Sequence, residues 1–178
     1  VTQMRCLDMF SGSGCIGIAV LKRVPHTIVD FVEKERKFCK QIKINCEINR
    51  IDPRRYHIIQ SDLFWGMQGK YDYIFANPPY IAELKKKKVQ SSVLKNEPLG
   101  ALFARRDGLA YIKRFLKEAK NHLHPGGKIY MEFDSFQKPL IINILRSYGI
   151  DYFDFFKDQY GKWRWMKIVY NRENGSRT

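Results

Sequence analysis

Met4-Arg5-Cys6-Leu7-Asp8-Met9-Phe10-Ser11-Gly12-Ser13-Gly14 reads as a short apolar strand, Met4 to Met9, that runs into a glycine-serine loop and opens a helix from Gly14 to Lys22. Glycines let the backbone approach a ligand closely, and a helix N-terminus offers unsatisfied N–H groups. Thr27 to Val32 is a second strand, followed by a long amphipathic helix, Lys34 to Asn49. Tyr56 to Gln60 and Tyr71 to Ala76 are further strands, Gly108 to His122 a helix broken by Pro125-Gly126-Gly127, and Lys128 to Phe133 a fifth strand. Pro139 to Tyr148 is helical and ends at Gly149, a left-handed cap. Ile150 to Phe156 and Trp163 to Tyr170 close the chain as an antiparallel hairpin around Gln159-Tyr160-Gly161-Lys162. Alternation of strands and helices predicts an α/β fold with a mostly parallel, doubly wound seven-stranded sheet. Residues 81–106 form the one long irregular segment, a length that in compact domains usually serves function.

The 178 residues suit a single domain over 1–178. Hydrophobic residues are 44% and aromatic residues 14%, which excludes a disordered chain. No apolar run approaches membrane-spanning length and no signal peptide is read, so no membrane partner and a cytoplasmic location are expected. The chain enters a strand almost at once after Val1, so a segment upstream of it is expected. Cys6, Cys15, Cys39 and Cys46 have no CxxC spacing, and reduced, mostly buried thiols are expected. His26, His57, His122 and His124 lack metal-ligand spacing, so no metal is expected. The net charge of +14 suits contact with nucleic acid or the ribosome, although apart from Lys85-Lys86-Lys87-Lys88 the charges are scattered as on a solvated surface. Trp163 and Trp165, alternating with Arg164, read as a packed sheet face rather than a base-stacking platform.

Three carboxylates follow three successive strands. Asp8 precedes the glycine loop and would repel a pyrophosphate but welcome a cation. Glu33 ends the second strand, where a carboxylate accepts ribose hydroxyls. Asp62, in Ser61-Asp62-Leu63-Phe64, is placed to accept an adenine amine, with apolar neighbours for the ring. Together with the loop residues Phe10, Ser11, Gly12 and Gly14 and with Lys34, they fit one adenosine-containing cationic cofactor, S-adenosylmethionine, with S-adenosylhomocysteine as product.

Asn77-Pro78-Pro79-Tyr80 then follows the fourth strand. Proline cannot continue a sheet ladder, so the strand must end in a rigid turn. The Asn77 side-chain carbonyl and the Pro78 backbone carbonyl are acceptors for one planar –NH2 group, and Tyr80 can lie against it. The expected catalytic set is therefore Asn77, Pro78, Pro79 and Tyr80, with Asn77 also beside the cofactor. The spacing does not distinguish an amide from a nucleobase amine.

These motifs resemble class I, Rossmann-like S-adenosylmethionine-dependent methyltransferases of the amino-methylating group. Asn96-Glu97-Pro98-Leu99-Gly100-Ala101-Leu102, Arg106-Asp107-Gly108-Leu109, Leu123-His124-Pro125-Gly126-Gly127, Tyr130-Met131-Glu132 and Asp158-Gln159-Tyr160-Gly161-Lys162-Trp163-Arg164 narrow the resemblance to the HemK/PrmC family. The resemblance implies methylation of the glutamine amide in the Gly-Gly-Gln loop of peptide chain release factors, a release factor as partner, and a monomer. Glu97 would touch the substrate loop or cap a turn. The chain departs from the family in having Phe10 and Asp134 where glycine is frequent, and in lacking the N-terminal helical domain that helps to hold the release factor. Methylation of an RNA or DNA base amine, and a non-catalytic methyltransferase-like binding module, are the alternative readings.

Overall fold

A computed structural model describes residues 3–78 and 99–170, with residues 99–108 described by their backbone alone. Seven strands form one sheet: β1 (Met4–Met9), β2 (Thr27–Glu33), β3 (Tyr56–Gln60), β4 (Tyr71–Ala76), β5 (Leu123–Glu132), β6 (Phe153–Lys157) and β7 (Trp163–Val169). Their order is β3-β2-β1-β4-β5-β7-β6. The first five are parallel, and β7 enters antiparallel between β5 and β6. Between them run α1 (Cys15–Arg23), α2 (Arg36–Ile48), α3 (Leu99–Ala119) and α4 (Lys138–Ser147).

Alternation along the strands divides the core in two. Cys6, Val29 and Phe31 face α1 and α2 through Ile18, Leu21, Ile42 and Cys46. Leu7, Met9, Ile74, Ile129, Met131, Met166 and Ile168 face α3 and α4 through Ile112, Phe115, Leu116, Ile141 and Leu145. Gly17 is what lets α1 lie so close: a Cβ there would stand 2.3 Å from the Phe31 ring. α4 ends as expected at Gly149 (φ +65), where Gly149 N–H donates to Arg146 and Ile150 N–H to Leu145.

Away from the strands' carboxyl ends, Asp30 is buried and accepts three hydrogen bonds. They come from Arg5 Nη2 (3.0 Å), the Tyr71 hydroxyl (2.7 Å) and the His57 ring (2.7 Å). That set ties β2 to β1, β4 and β3 around one carboxylate.

Two expectations change. α3 begins at Leu99, so the helix takes in part of the segment read as irregular, with Gly100 and Gly108 inside it. Glycine costs about 1 kcal/mol in a helix, and the sequence alone placed the start at Gly108, nine residues after Leu99. Strand β5 begins at Leu123 and carries the Pro125-Gly126-Gly127 break as an irregularity in its pairing with β4. Of the cysteines, all free, Cys6 and Cys46 are buried, Cys39 is half-buried and Cys15 is exposed. Among the described residues no group of histidine, cysteine and carboxylate side chains is placed to hold a metal ion, and no helix is long and apolar enough to cross a membrane.

Candidate active site

The carboxyl ends of β1, β2, β3 and β4 open on one cavity of about 320 Å³, within the usual size range of ligand sites. Its walls are Met9, Phe10, Gly12, Val32, Glu33, Lys34, Glu35, Phe38, Ser61, Asp62, Leu63, Asn77 and Tyr111. Parallel β/α order makes this convergence unavoidable, because each strand delivers its next residues to the same edge.

Glu33 is fixed by its neighbours. Gly12 N–H donates to its Oε2 (2.9 Å) and Glu35 N–H to its Oε1 (2.9 Å). A carboxylate has about four acceptor positions, so two remain for a ligand. Asp62 is partly exposed, with Lys34 Nζ at 3.4 Å and Arg114 Nη2 at 3.5 Å. Both pairs are long and solvated, leaving the Asp62 oxygens accessible. Asn77 stands on the β4 side of the same cavity, half-buried, and is followed by the buried Pro78.

Phe10 and Leu63 both adopt left-handed backbone angles, φ 61 and φ 58. For residues with a Cβ this costs about 1–2 kcal/mol. The Phe10 ring packs edge-on against Tyr111 and tilted on Phe115 (centroids 6.3 and 6.0 Å), which offsets the strain. Here lies the departure at Phe10: the backbone asks for glycine, and the side chain is kept for its contacts with α3.

Four residues expected beside the cofactor support the loop instead of lining the cavity. Asp8 is 1% exposed and its Oδ2 accepts from Gly17 N–H (2.8 Å), joining β1 to α1. Burial, with the Glu33 charge nearby, pushes the Asp8 carboxyl up to about 7 against the opposing pull of that N–H. The Ser11 hydroxyl, with one proton to give, donates to the Asp8 carbonyl (2.6 Å) and has the Val32 carbonyl at 3.1 Å. Gly14 takes φ +80 just before α1, where a Cβ would press on Ile42 and Phe31 at 3.3 Å. Phe64 is buried, stacked between His122 (4.4 Å) and Phe115 (5.8 Å), and anchors the loop that carries Asp62.

Met9, Val32, Glu35, Phe38, Ser61 and Tyr111 line the cavity without having been singled out from the sequence. Phe38 lies one turn before the buried Ile42 and so reads as part of the core stripe of α2. Tyr111 belongs to a helix distant in sequence, and only the packing of α3 brings it to the rim. Pro79, Tyr80 and Glu97 lie outside the described residues.

The residues present fit S-adenosylmethionine: a held carboxylate with spare acceptor positions at Glu33, a second at Asp62, and apolar surface from Met9, Val32, Phe38 and Leu63 between them.

Residues 2–99 match the family model described as methyltransferase small domain, more than half of the chain. A release factor glutamine methyltransferase of Flavobacterium psychrophilum is 29% identical over 93% of this chain and 58% of its own length. One of Streptococcus pneumoniae is 32% identical over 83% of this chain and 52% of its own length. The chain thus spans about half the length of these curated relatives, and the expected kinship with release factor glutamine methyltransferases runs along most of it. Among solved structures, a ribosomal protein L11 methylase from Lactobacillus delbrueckii subsp. bulgaricus superposes with TM-score 0.67 at 18% identity, over 97% of this chain and 72% of that one. The sheet order and the antiparallel β7 are those of the expected class I S-adenosylmethionine-dependent methyltransferase fold.

Proposed function

We propose a reaction for this chain, which belongs to the methyltransferase small domain family: transfer of a methyl group from S-adenosylmethionine to the side-chain amide nitrogen of the glutamine in a release factor's Gly-Gly-Gln loop. The observation that carries the methyl-transfer chemistry is that Asn77 shares one cavity with Glu33 and Asp62. The choice of a glutamine amide is supported by the names of the relatives.

When bound, S-adenosylmethionine supplies a methyl group on a positive sulfur, which a nitrogen lone pair displaces to leave S-adenosylhomocysteine. Glu33 would accept the ribose hydroxyls and Asp62 the adenine amine, while Met9, Val32, Phe38 and Leu63 exclude water from the ring. An amide nitrogen is a poor nucleophile because its lone pair is delocalised into the carbonyl. The Asn77 side-chain carbonyl and the Pro78 carbonyl would accept its two N–H bonds, raising electron density on nitrogen and fixing its direction of attack. Positioning and fixed acceptors supply the acceleration, and the departing proton passes to water. Pro79 would stiffen the turn and Tyr80 pack against the amide plane.

A second reading, methylation of a nucleobase amine in RNA, is favoured by the net charge of +14. The deciding experiment incubates the protein and labelled S-adenosylmethionine with a release factor in one vessel and ribosomal RNA in another. Label on the glutamine of the release factor is the expected result; label on RNA alone overturns the proposal.

A further inference from the structure

We propose that Glu132, at the carboxyl end of β5, is a substrate-binding residue whose carboxylate accepts backbone N–H groups of the polypeptide that carries the target glutamine. This role rests on the methyl-transfer reading of Asn77 and deepens it by naming the class of chain that delivers the amide. β4 and β5 are parallel, with Ala76 opposite Met131. Asn77 and Glu132 are the next residues on the two strands, at a strand spacing of about 4.8 Å. Glu132 is half-buried. It lines a hollow of about 370 Å³ together with Ala76, Tyr130, Trp165 and Ile16 of α1. The hollow therefore reaches Asn77 from the side of β5, while the cofactor cavity reaches it from the side of β1, β2 and β3.

Glu132 differs from every other carboxylate on the strands. Asp8 accepts from Gly17 N–H and Asp72 from Arg5 N–H. Asp30 accepts from three donors and Glu33 from two. Asp154 pairs with Lys167 (2.8 Å). Among the described residues no hydrogen bond and no ion pair falls on the Glu132 carboxylate. Its companions in the hollow are rings, Tyr130 and Trp165, whose centroids are 6.1 Å apart. Arg164, which also borders the hollow, is engaged by Asp158 (3.3 Å). A carboxylate drawn partly out of water among apolar groups loses hydration, and only donors restore it. Its acceptor positions stay open beside Asn77, suited to donors that arrive with the substrate.

The shape of glutamine selects those donors. Four bonds, about 5 Å, separate its Cα from its amide nitrogen. With that nitrogen on Asn77, the glutamine's own backbone stands about one strand spacing away, within reach of Glu132. Glycine next to it leaves backbone N–H groups open to a carboxylate, since no Cβ shields them. Each such contact is a charge-assisted hydrogen bond. A nucleic acid would bring a phosphate into the same neighbourhood, where two anions repel. Of the two substrate classes, Glu132 therefore favours the polypeptide.

The test measures methylation of a release factor by the wild type and by Glu132→Gln. The release factor is also assembled by ligation from a synthetic segment in which each residue of the Gly-Gly-Gln loop in turn is N-methylated on its backbone and so has no N–H. In Glu132→Gln the KM for the release factor should rise about tenfold, with kcat and the Kd of S-adenosylhomocysteine within about twofold of the wild type. For the wild type, N-methylation at one of the loop positions should raise KM by a similar factor. For Glu132→Gln it should add little, as two changes to one contact do. Equal kinetics of variant and wild type, or equal penalties for N-methylation in both, overturns the proposal. A rise in KM that no N-methylation reproduces would assign Glu132 to a basic side chain of the substrate. Loss of S-adenosylhomocysteine binding or of thermal stability in the variant would assign it to this chain's own structure. Either of these overturns the proposal as well. A wild type that leaves the release factor unmethylated would instead remove the glutamine reading itself, and this role with it.

Discussion

Asp8 spends its carboxylate on the Gly17 N–H with almost no access to water, and its protonation is therefore tied to folding. Its value when unfolded is near the ordinary one of about 4; in the folded protein burial pushes it up to about 7. Between those limits the folded state holds a proton that the unfolded state has lost. Stability from this group is therefore greatest at low pH and is lost as pH rises through the window, at no more than about 1.4 kcal/mol per pH unit. Asp8→Asn keeps an acceptor for Gly17 and cannot ionise. Urea denaturation should show the variant gaining on the wild type by about 1–3 kcal/mol between pH 5 and pH 8. Asn77→Ala bears on the chemistry: methyl transfer should fall at least about a hundredfold while S-adenosylhomocysteine still binds by calorimetry. Near wild-type turnover in that variant would remove the amide clamp from the mechanism. The sequence showed which side chains had the right chemistry at the strand ends, Glu33, Asp62 and Asn77 among them. It could not show which way each points, and so Asp8, an acid in the expected place, turned out to serve the α1 N-terminus. Direction depends on which neighbour offers an N–H, and that neighbour is nine residues away.

At the scale of elements, α1 illustrates two effects of opposite sign. By helix propensity Gly17→Ala should stabilise by about 1 kcal/mol. The added methyl would meet Phe31 at 2.3 Å and Val29 at 2.9 Å, and both are fully buried in a packed core. Overpacking of that kind costs about 1–3 kcal/mol and wins. Denaturation should show net loss of stability, with the α1–β2 spacing as the cause; a more stable variant would mean that Phe31 can move aside. Strand limits were readable from composition because β1, β3 and β4 are short apolar runs bounded by loops and turns. The start of α3 was not, since Gly100 is punctuation by its own conformational cost, and the backbone nevertheless runs helical through it and on past Gly108.

For the whole molecule, the cavity couples ligand binding to stability. A ligand at a hundred times its Kd adds about 2.7 kcal/mol to the folded state. For a domain of this size that raises Tm by about 5–10 °C. S-adenosylhomocysteine should give a shift of that order in a thermal melt, and Glu33→Ala, measured against its own ligand-free melt, should lose most of it. An undiminished shift in the variant would move the ribose site elsewhere.

The sheet order has a further consequence, for synthesis on the ribosome. β1 leads the seven strands in sequence and lies inside the sheet, so β2 can cover one of its edges early while the other waits for β4. The last two strands reverse the problem. β6 is made before β7 yet touches the sheet only through it, so the pair must close as a hairpin and then dock on β5 together. Local closure of a hairpin is fast and long-range docking slow. The nascent protein should therefore complete its parallel half first and gain β5's antiparallel neighbour as a preassembled unit, with the exposed edge of β5 the place where a stalled chain is most open to wrong pairing.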